Sequence, residues 1–344
     1  MGVPIGPVAL LTFDECLAQA EGNAHVLLGN GFSRACRDDI FAYNALFQRA
    51  DFSALPPTAR DSFNALGTTD FEIVIRALRT AQALVRLYAP GDDAMPTRLS
   101  ADADGIRNVL ASAIAQNHPE RPGDIAIAQY EACRTFLQHF HLIYTLNYDL
   151  LLYWALMQAE LEPELTSDDG FRTPDEGDAD HVTWDVEKTD SQNIFYLHGA
   201  LHLYDAGAEL QKYTWSNTGI ALIDQIRAAL AANLYPLIVA EGTSEEKMSR
   251  ILHSNYLSRG YRSFAKIKGN LFVYGHAMGD NDDHWYRLIE KGGVKRLFVA
   301  IFGDPGNPGN RALIAKSLRL PRQRSRRRPL EVTFFDSATA RVWG

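Results

Sequence analysis

Short apolar runs recur along the chain, and most stop abruptly at small or polar residues. Ala24 to Leu28, apolar except for His25, stops at Gly29. Leu142 to Leu146 stops at Asn147-Tyr148-Asp149, Ile194 to Leu197 at His198-Gly199, and Leu271 to Tyr274 at Gly275-His276. Leu297 to Phe302 and Val332 to Phe335 are further runs, and Leu237 to Ala240 leads into Glu241-Gly242-Thr243-Ser244. Short runs without polar alternation are the pattern of strands buried on both faces.

Between these runs the apolar period lengthens to that of a helix. Phe13 to Ala20 is a short helix capped by Thr12 or Asp14, and Ser33 to Phe47 a helix and turn. Leu150 to Leu161, Ile220 to Leu234 and Glu245 to Ile267 are helices, the last with Met248, Ile251, Leu252, Leu257 and Phe264 as its core side. Strands alternating with helices predict an α/β fold: a Rossmann-like, mostly parallel sheet with helices on both faces. From Ala50 to Phe140 the strand pattern disappears. Thr69-Asp70 opens a helix carrying Phe71, Val74, Leu78, Ala81, Val85 and Tyr88 at helical spacing. Ile106 to Ile114 and Tyr130 to Phe140 mark two more. The expected organisation is a core of residues 1–49 and 141–344 with a helical insertion at 50–140.

Ligands in such sheets bind at the carboxyl ends of the strands, where the polar stretches fall. Gly29-Asn30-Gly31-Phe32-Ser33 reads as a strand-to-helix turn in which glycine lets backbone N–H groups approach a pyrophosphate. Asn147 offers a donor and an acceptor to ribose hydroxyls or a water. Asp149 is an acceptor beside it, and His198 is a base whose ordinary pKa lies near neutrality. This combination suits cleavage of a nicotinamide–ribose bond in a dinucleotide. Each residue has a structural alternative: Asn147, Asp149 and Ser33 as helix caps, His198 as a hydrogen-bonded core histidine, His276 as an ordinary loop residue.

The bulk numbers narrow the picture. The chain has 344 residues, 46% hydrophobic and 22% charged, with a net charge of -8. Such a balance argues against wholesale coating of nucleic acid. No apolar run reaches the roughly 20 residues of a membrane span, and Met1 to Leu11 has no positive n-region, so a cytoplasmic protein without a secretory signal is expected. Cys16, Cys36 and Cys133 are far apart and form no C-x-x-C pair, so no metal site is expected. Glu162 to Asp190 is acidic and broken by Pro and Gly, the pattern of an exposed loop. Arg319 to Arg328 is a basic run without aromatics, either a solvated loop or, through Arg322 to Arg328, a contact for nucleic acid.

These motifs resemble the sirtuin-like superfamily, in particular its bacterial NAD-consuming, abortive-infection branch. Gly29-Asn30-Gly31-Phe32-Ser33 is similar to that family's Gly-Ala-Gly-x-Ser. Thr145-Leu146-Asn147-Tyr148-Asp149 resembles its Thr-x-Asn-Tyr-Asp, and His198-Gly199 its His-Gly. Gly275-His276-Ala277-Met278-Gly279-Asp280-Asn281-Asp282 resembles its late Gly-x-Ser-x-x-Asp motif, and Asp70-Phe71-Glu72 an acidic-Phe-Glu helix start. The resemblance implies an NAD glycohydrolase giving nicotinamide and ADP-ribose in antiphage defence. NAD is then substrate, with no metal. Asn147 would position ribose and water, His198 would be the base and Asp149 would support them. Gly29 to Ser33, Thr145, Gly275, His276, Asp280 and Asp282 would bind the nucleotide. It also implies assembly into a homo-oligomer or activation by a partner protein. The paired cysteines of the zinc module of deacetylating sirtuins are missing, which argues against deacetylation. Asn30 stands in place of alanine and Ala277 in place of serine, which keeps open a second reading: a non-enzymatic sensor of NAD or ADP-ribose acting with a partner.

Overall fold

A computed structural model describes residues 8–174, 180–207, 209–214, 218–232, 234–240, 243–324 and 329–344. Its main sheet contains β1 (Ala24–Leu28), β2 (Leu142–Thr145), β5 (Ile194–Tyr196), β8 (Lys268–Tyr274), β9 (Gly293–Ile301) and β10 (Glu331–Asp336). All neighbours pair in parallel, in the order β10-β9-β8-β1-β2-β5. Counting these six in chain order, this is the 3-2-1-4-5-6 arrangement of a doubly wound Rossmann-like fold, read from the opposite edge. The order reverses between β1 and β8, so the crevice of such folds belongs beyond Leu28 and Tyr274.

Strand β1 is buried along its whole length, as its apolar run requires. Helix α1 (Phe13–Gln19) is capped by Thr12, whose hydroxyl accepts the Glu15 N–H while Glu15 reaches back to Thr12. Between β1 and β2 lie α2 (Asn30–Phe41), α3 (Tyr43–Arg49), α4 (Pro57–Leu66), α5 (Phe71–Tyr88), α6 (Ala94–Asn117) and α7 (Ile127–Leu137). Asp70 caps α5 by accepting the N–H groups of Glu72 and Ile73. Phe47, Phe52, Phe63 and Phe71 pack together in this helical segment, mostly edge to face. Its apolar residues join those of the sheet in one continuous core, so the segment is fused to the sheet rather than appended to it.

A second, antiparallel sheet, absent from the expected architecture, is formed by β3 (Phe171–Arg172), β4 (His181–Trp184), β6 (Leu203–Asp205) and β7 (Leu210–Tyr213), ordered β3-β4-β7-β6. The acidic stretch is therefore not simply a solvated loop. Asp168 pairs with Arg172 at 2.7 Å and Asp169 with Lys212 at 2.5 Å, which folds it back on the protein; residues 175–179 lie outside those described. Two further expectations are corrected. Leu237 to Ala240 contributes a single bridge, Gly199 to Ile238, rather than a strand. The long helix is broken at Ser254 into Ser244–His253 and Asn255–Lys266, and the first half buries Ser244, Lys247 and Ile251 while Leu252 is exposed. No helix among the described residues is long and apolar enough to cross a membrane.

Candidate functional site

The parallel pairing of β2 with β5 aligns Thr145 with Tyr196. Asn147 and His198 each stand two residues further on, at matching places on adjacent strand ends, where strands run about 4.8 Å apart. The Tyr148 ring stacks over His198 with centroids 6.3 Å apart, and Leu201 N–H donates to the Tyr148 carbonyl. The two residues thus share one neighbourhood.

Asn147 is held from below. Its Nδ2 donates to the Gly29 carbonyl at 3.0 Å and to Ser33 Oγ at 2.9 Å. Because one partner is a carbonyl, the amide orientation is fixed, and Oδ1 faces away with no hydrogen bond from the described residues. Ser33 Oγ in turn donates to Asp149 Oδ2 at 2.5 Å, and Asp149 Oδ1 accepts the Leu151 N–H that starts helix α8 (Leu151–Met157). Burial raises the Asp149 carboxyl, while the Ser33 and Leu151 hydrogen bonds oppose that rise. Asp149 is a cap and an anchor for Ser33 rather than a group facing a ligand. Thr145 likewise shapes the turn, its hydroxyl accepting the Asn147 N–H.

The glycine loop is not an open phosphate cradle. Gly29, Gly31 and Phe32 N–H groups already donate to the carbonyls of Tyr274, Gly275 and Gly29. A Cβ at Gly31 would lie 2.5 Å from Gly275 Cα, and one at Gly29 2.7 Å from His276 Cβ. Both glycines are demanded by the close approach of two backbones at the switch point, with Gly275 itself at φ +70°. Asn30 turns its Nδ2 to the Phe41 carbonyl, and Phe32 packs on Trp343 in the core.

Beyond this contact lies a buried ionic network. Lys247 Nζ bridges Glu72 Oε2 at 2.8 Å and Asp282 Oδ1 at 3.1 Å. Glu72 also accepts from Tyr148 Oη and from Asn281 Nδ2. Asp282 Oδ2 faces His276 Nε2 at 3.1 Å, and Oδ1 lies 3.5 Å from His198 Nε2. Burial alone would raise the Asp282 carboxyl, but Lys247, then His198 and His276, hold it well below the usual range. His276 Nδ1 accepts the Met278 N–H, which puts its proton on Nε2 toward Asp282, and the Tyr286 hydroxyl also reaches Nδ1. His198 is pushed well below its ordinary pKa by burial and by Lys247, so it is neutral, and Trp285 Nε1–H donates to its Nε2 at 3.2 Å. The resting tautomer therefore carries its proton on Nδ1.

His198, Asp282 and His284 bring ligand atoms within 4.8 Å of one another, and His284 Nε2 is buried without a partner among the described residues. These are zinc-type donors. A metal there would have to displace the Lys247 ammonium from Asp282 and the Trp285 N–H from His198.

The structure thus brings together Gly29, Gly31, Ser33, Asn147, Asp149, His198, Gly275, His276 and Asp282. It does not bring in Asp280, which is largely exposed and pairs with Lys316 at 2.8 Å. In the basic run, Arg324 donates to the carbonyls of Ile289, Glu290, Gly292 and Val294 and closes a helix end; residues 325–328 lie outside those described. Glu72, Lys247, Trp285 and His284 were not among the sequence candidates for the site. Lys247 has a signal in retrospect: it occupies a core-facing position on the 244/247/251 stripe, where an unpaired lysine is not tolerated. No curated protein matches the chain. Residues 26–343 match the family described as a domain of unknown function, DUF4917, and the protein belongs to that family.

Proposed function

We propose that the protein binds a nicotinamide dinucleotide at the β1/β8 switch point and hydrolyses its nicotinamide–ribose bond. The observation that carries this reading is the alignment of Asn147 and His198 on adjacent strand ends, one with a committed amide and a free Oδ1, the other a neutral imidazole whose Nε2 lies 3.5 Å from the Asp282 carboxylate. The likeness of these motifs to NAD-consuming sirtuin-like proteins supports it, and antiphage defence is the setting that likeness implies.

In this reading Asn147 Oδ1 accepts from the attacking water or a ribose hydroxyl. The water oxygen bonds to the anomeric carbon, and the C–N electron pair leaves with neutral nicotinamide. The water proton goes to His198 Nε2, which exchanges its hydrogen bond from Trp285 for that proton. Asp282, 3.5 Å away, stabilises the imidazolium. Admission of the dinucleotide requires residues 275–279 to lift from Gly29 and Gly31 while Asp282 stays paired with Lys247. Met278 in that segment has φ +54°, a left-handed conformation that stores strain in a non-glycine residue.

A second reading, nucleotide sensing without turnover, is favoured by the Trp285 N–H that occupies the base nitrogen of His198. Nicotinamide release by purified protein, alongside calorimetric titration with NAD, separates the two. Release that falls by about 10²–10⁴-fold in His198→Ala supports hydrolysis; saturable binding without release supports sensing. Neither binding nor release removes both.

A further inference from the structure

The opposite edge of the sheet carries a feature that the proposed site does not use. Where β1, β2, β8 and β9 begin, an open cleft of about 800 Å³ is lined by Arg259, Arg262, Lys266, Lys268 and Lys295, with His25 beneath them. Glu21 is its single acidic lining residue. Strands β1 and β8 run from this cleft toward the Asn147–His198 region, so a strand length, roughly 17–20 Å, separates the two places.

Among the described residues no carboxylate pairs with any of these five cations. Arg262 donates to Ser258 Oγ, and Arg259 to Gln192 Oε1 and the Thr189 carbonyl, while Lys266, Lys268 and Lys295 are exposed. Other exposed cations, Arg49, Arg86 and Arg311 among them, also have no acidic partner among the described residues; the cleft differs in gathering five cations around one cavity. Beneath the cations His25 is buried, and its Nδ1 has no hydrogen-bond partner among the described residues.

Part of this charge has a structural use. Helices flanking a parallel sheet point their negative ends to this side, and Lys266 sits in the last turn of its helix. Lys268 and Lys295 are on strands and Arg262 is a turn further back, so the helix end does not explain them. Five cations against one carboxylate, concentrated in one cavity of a protein with net charge -8, point to an anion. The cavity lies within the roughly 300–1,000 Å³ of small-molecule sites, and the overall negative charge opposes a long polyelectrolyte.

We infer that this cleft binds a small polyphosphate anion, a nucleoside triphosphate or a free phosphate chain, at a second site distinct from the Asn147–His198 region. The phosphates would lie along Arg262, Lys268 and Lys295, with Arg259 and Lys266 at the margins.

The test is titration of the full chain with inorganic tripolyphosphate and, separately, with ATP, by calorimetry at low and moderate salt. Saturable tripolyphosphate binding that weakens with salt is expected. The double variant Arg262→Glu/Lys295→Glu, in which both side chains are exposed and folding is checked by its melting curve, is expected to weaken it by about 100-fold, tenfold per reversed charge. Asn147→Ala is expected to leave it unchanged. ATP binding tighter than tripolyphosphate through the same residues identifies a nucleoside as part of the ligand; equal affinity identifies the phosphate chain alone. Absence of saturable binding, affinity unaltered in the folded double variant, or loss of binding in Asn147→Ala would each overturn the inference. The outcome is independent of whether NAD is hydrolysed.

Discussion

Lys247 Nζ lies 2.8 Å from Glu72 Oε2, and the lysine side chain has no exposed surface. The contact joins the second residue of α5, in the helical segment, to the helix Ser244–His253 far along the chain. Asp282 completes the bridge, so the helical segment and the late loop are held by one ammonium. Ions buried this way cost several kcal/mol to desolvate and are retained only when well paired.

Lys247→Met is therefore expected to destabilise the protein by about 3–5 kcal/mol, because it leaves two carboxylates buried without their cation. Adding Glu72→Gln should return part of the loss, since one of those charges is then gone. Urea unfolding of the single and double variants measures this. Additive effects would show that the three groups are not coupled.

Trp285→Phe keeps an aromatic ring on His198 but removes the N–H that occupies Nε2. Under the hydrolytic reading the imidazole becomes a freer base, so nicotinamide release should stay at or above the wild-type rate. Adding His198→Ala to it should abolish release. A Trp285→Phe protein that folds normally yet is as inactive as His198→Ala would mean that the indole, not the imidazole, is what the site requires.

The loop glycines make a steric prediction. Gly31→Ala drives a methyl group into the Gly275 backbone, and neither side is a flexible chain end that can step aside. A loss of about 1–3 kcal/mol or more is expected. At Gly123, where a Cβ meets nothing within 4 Å, the same substitution should be near neutral. Melting temperatures of the two variants compare them directly. Equal melting temperatures would show that the two loops are not in contact.

The parallel sheet could be read from the chain because its strands are apolar on both faces and end at polar residues. Those same ends held Asn147, His198 and Asp282. The antiparallel sheet escaped because its strands are short and β4 is half-buried throughout, so neither a continuous run nor a clean alternation marks it. Asp169 and Lys212 look like surface charges in isolation and become partners only when β7 lies beside the acidic stretch. The glycine loop carried an ambiguous signal: Gly29 and Gly31 suit a phosphate or a close backbone, and only the position of Gly275 decides which. Asp280 and Asp282 are alike in sequence, yet one faces solvent and the other meets Lys247.

Acid lability follows from the buried histidines. His118 is lowered to about 4, chiefly by burial; its Nδ1 faces the Pro119 carbonyl and its Nε2 accepts the Leu150 N–H at 3.1 Å, which fixes the neutral tautomer. His25 and His284 are also lowered to about 4 by burial. A histidine whose folded pKa lies below its unfolded value near 6.5 contributes stability that is present above 6.5 and lost as pH falls toward 4. Asp70 acts in the opposite sense: burial, then Glu72, raises it to about 6, so its contribution is present below 3.8 and lost as pH rises through 6. With His198 and His202 also lowered by burial, the histidines outnumber the raised carboxyls Asp70, Asp149 and Glu290, so stability should fall between pH 6.5 and 4. His118→Gln should be less stable at pH 7, because Leu150 loses its acceptor, but its stability should fall less steeply on acidification. Chemical denaturation at several pH values gives both slopes. Parallel slopes for wild type and variant would mean that His118 already carries its proton in the folded protein, contrary to the bond from Leu150.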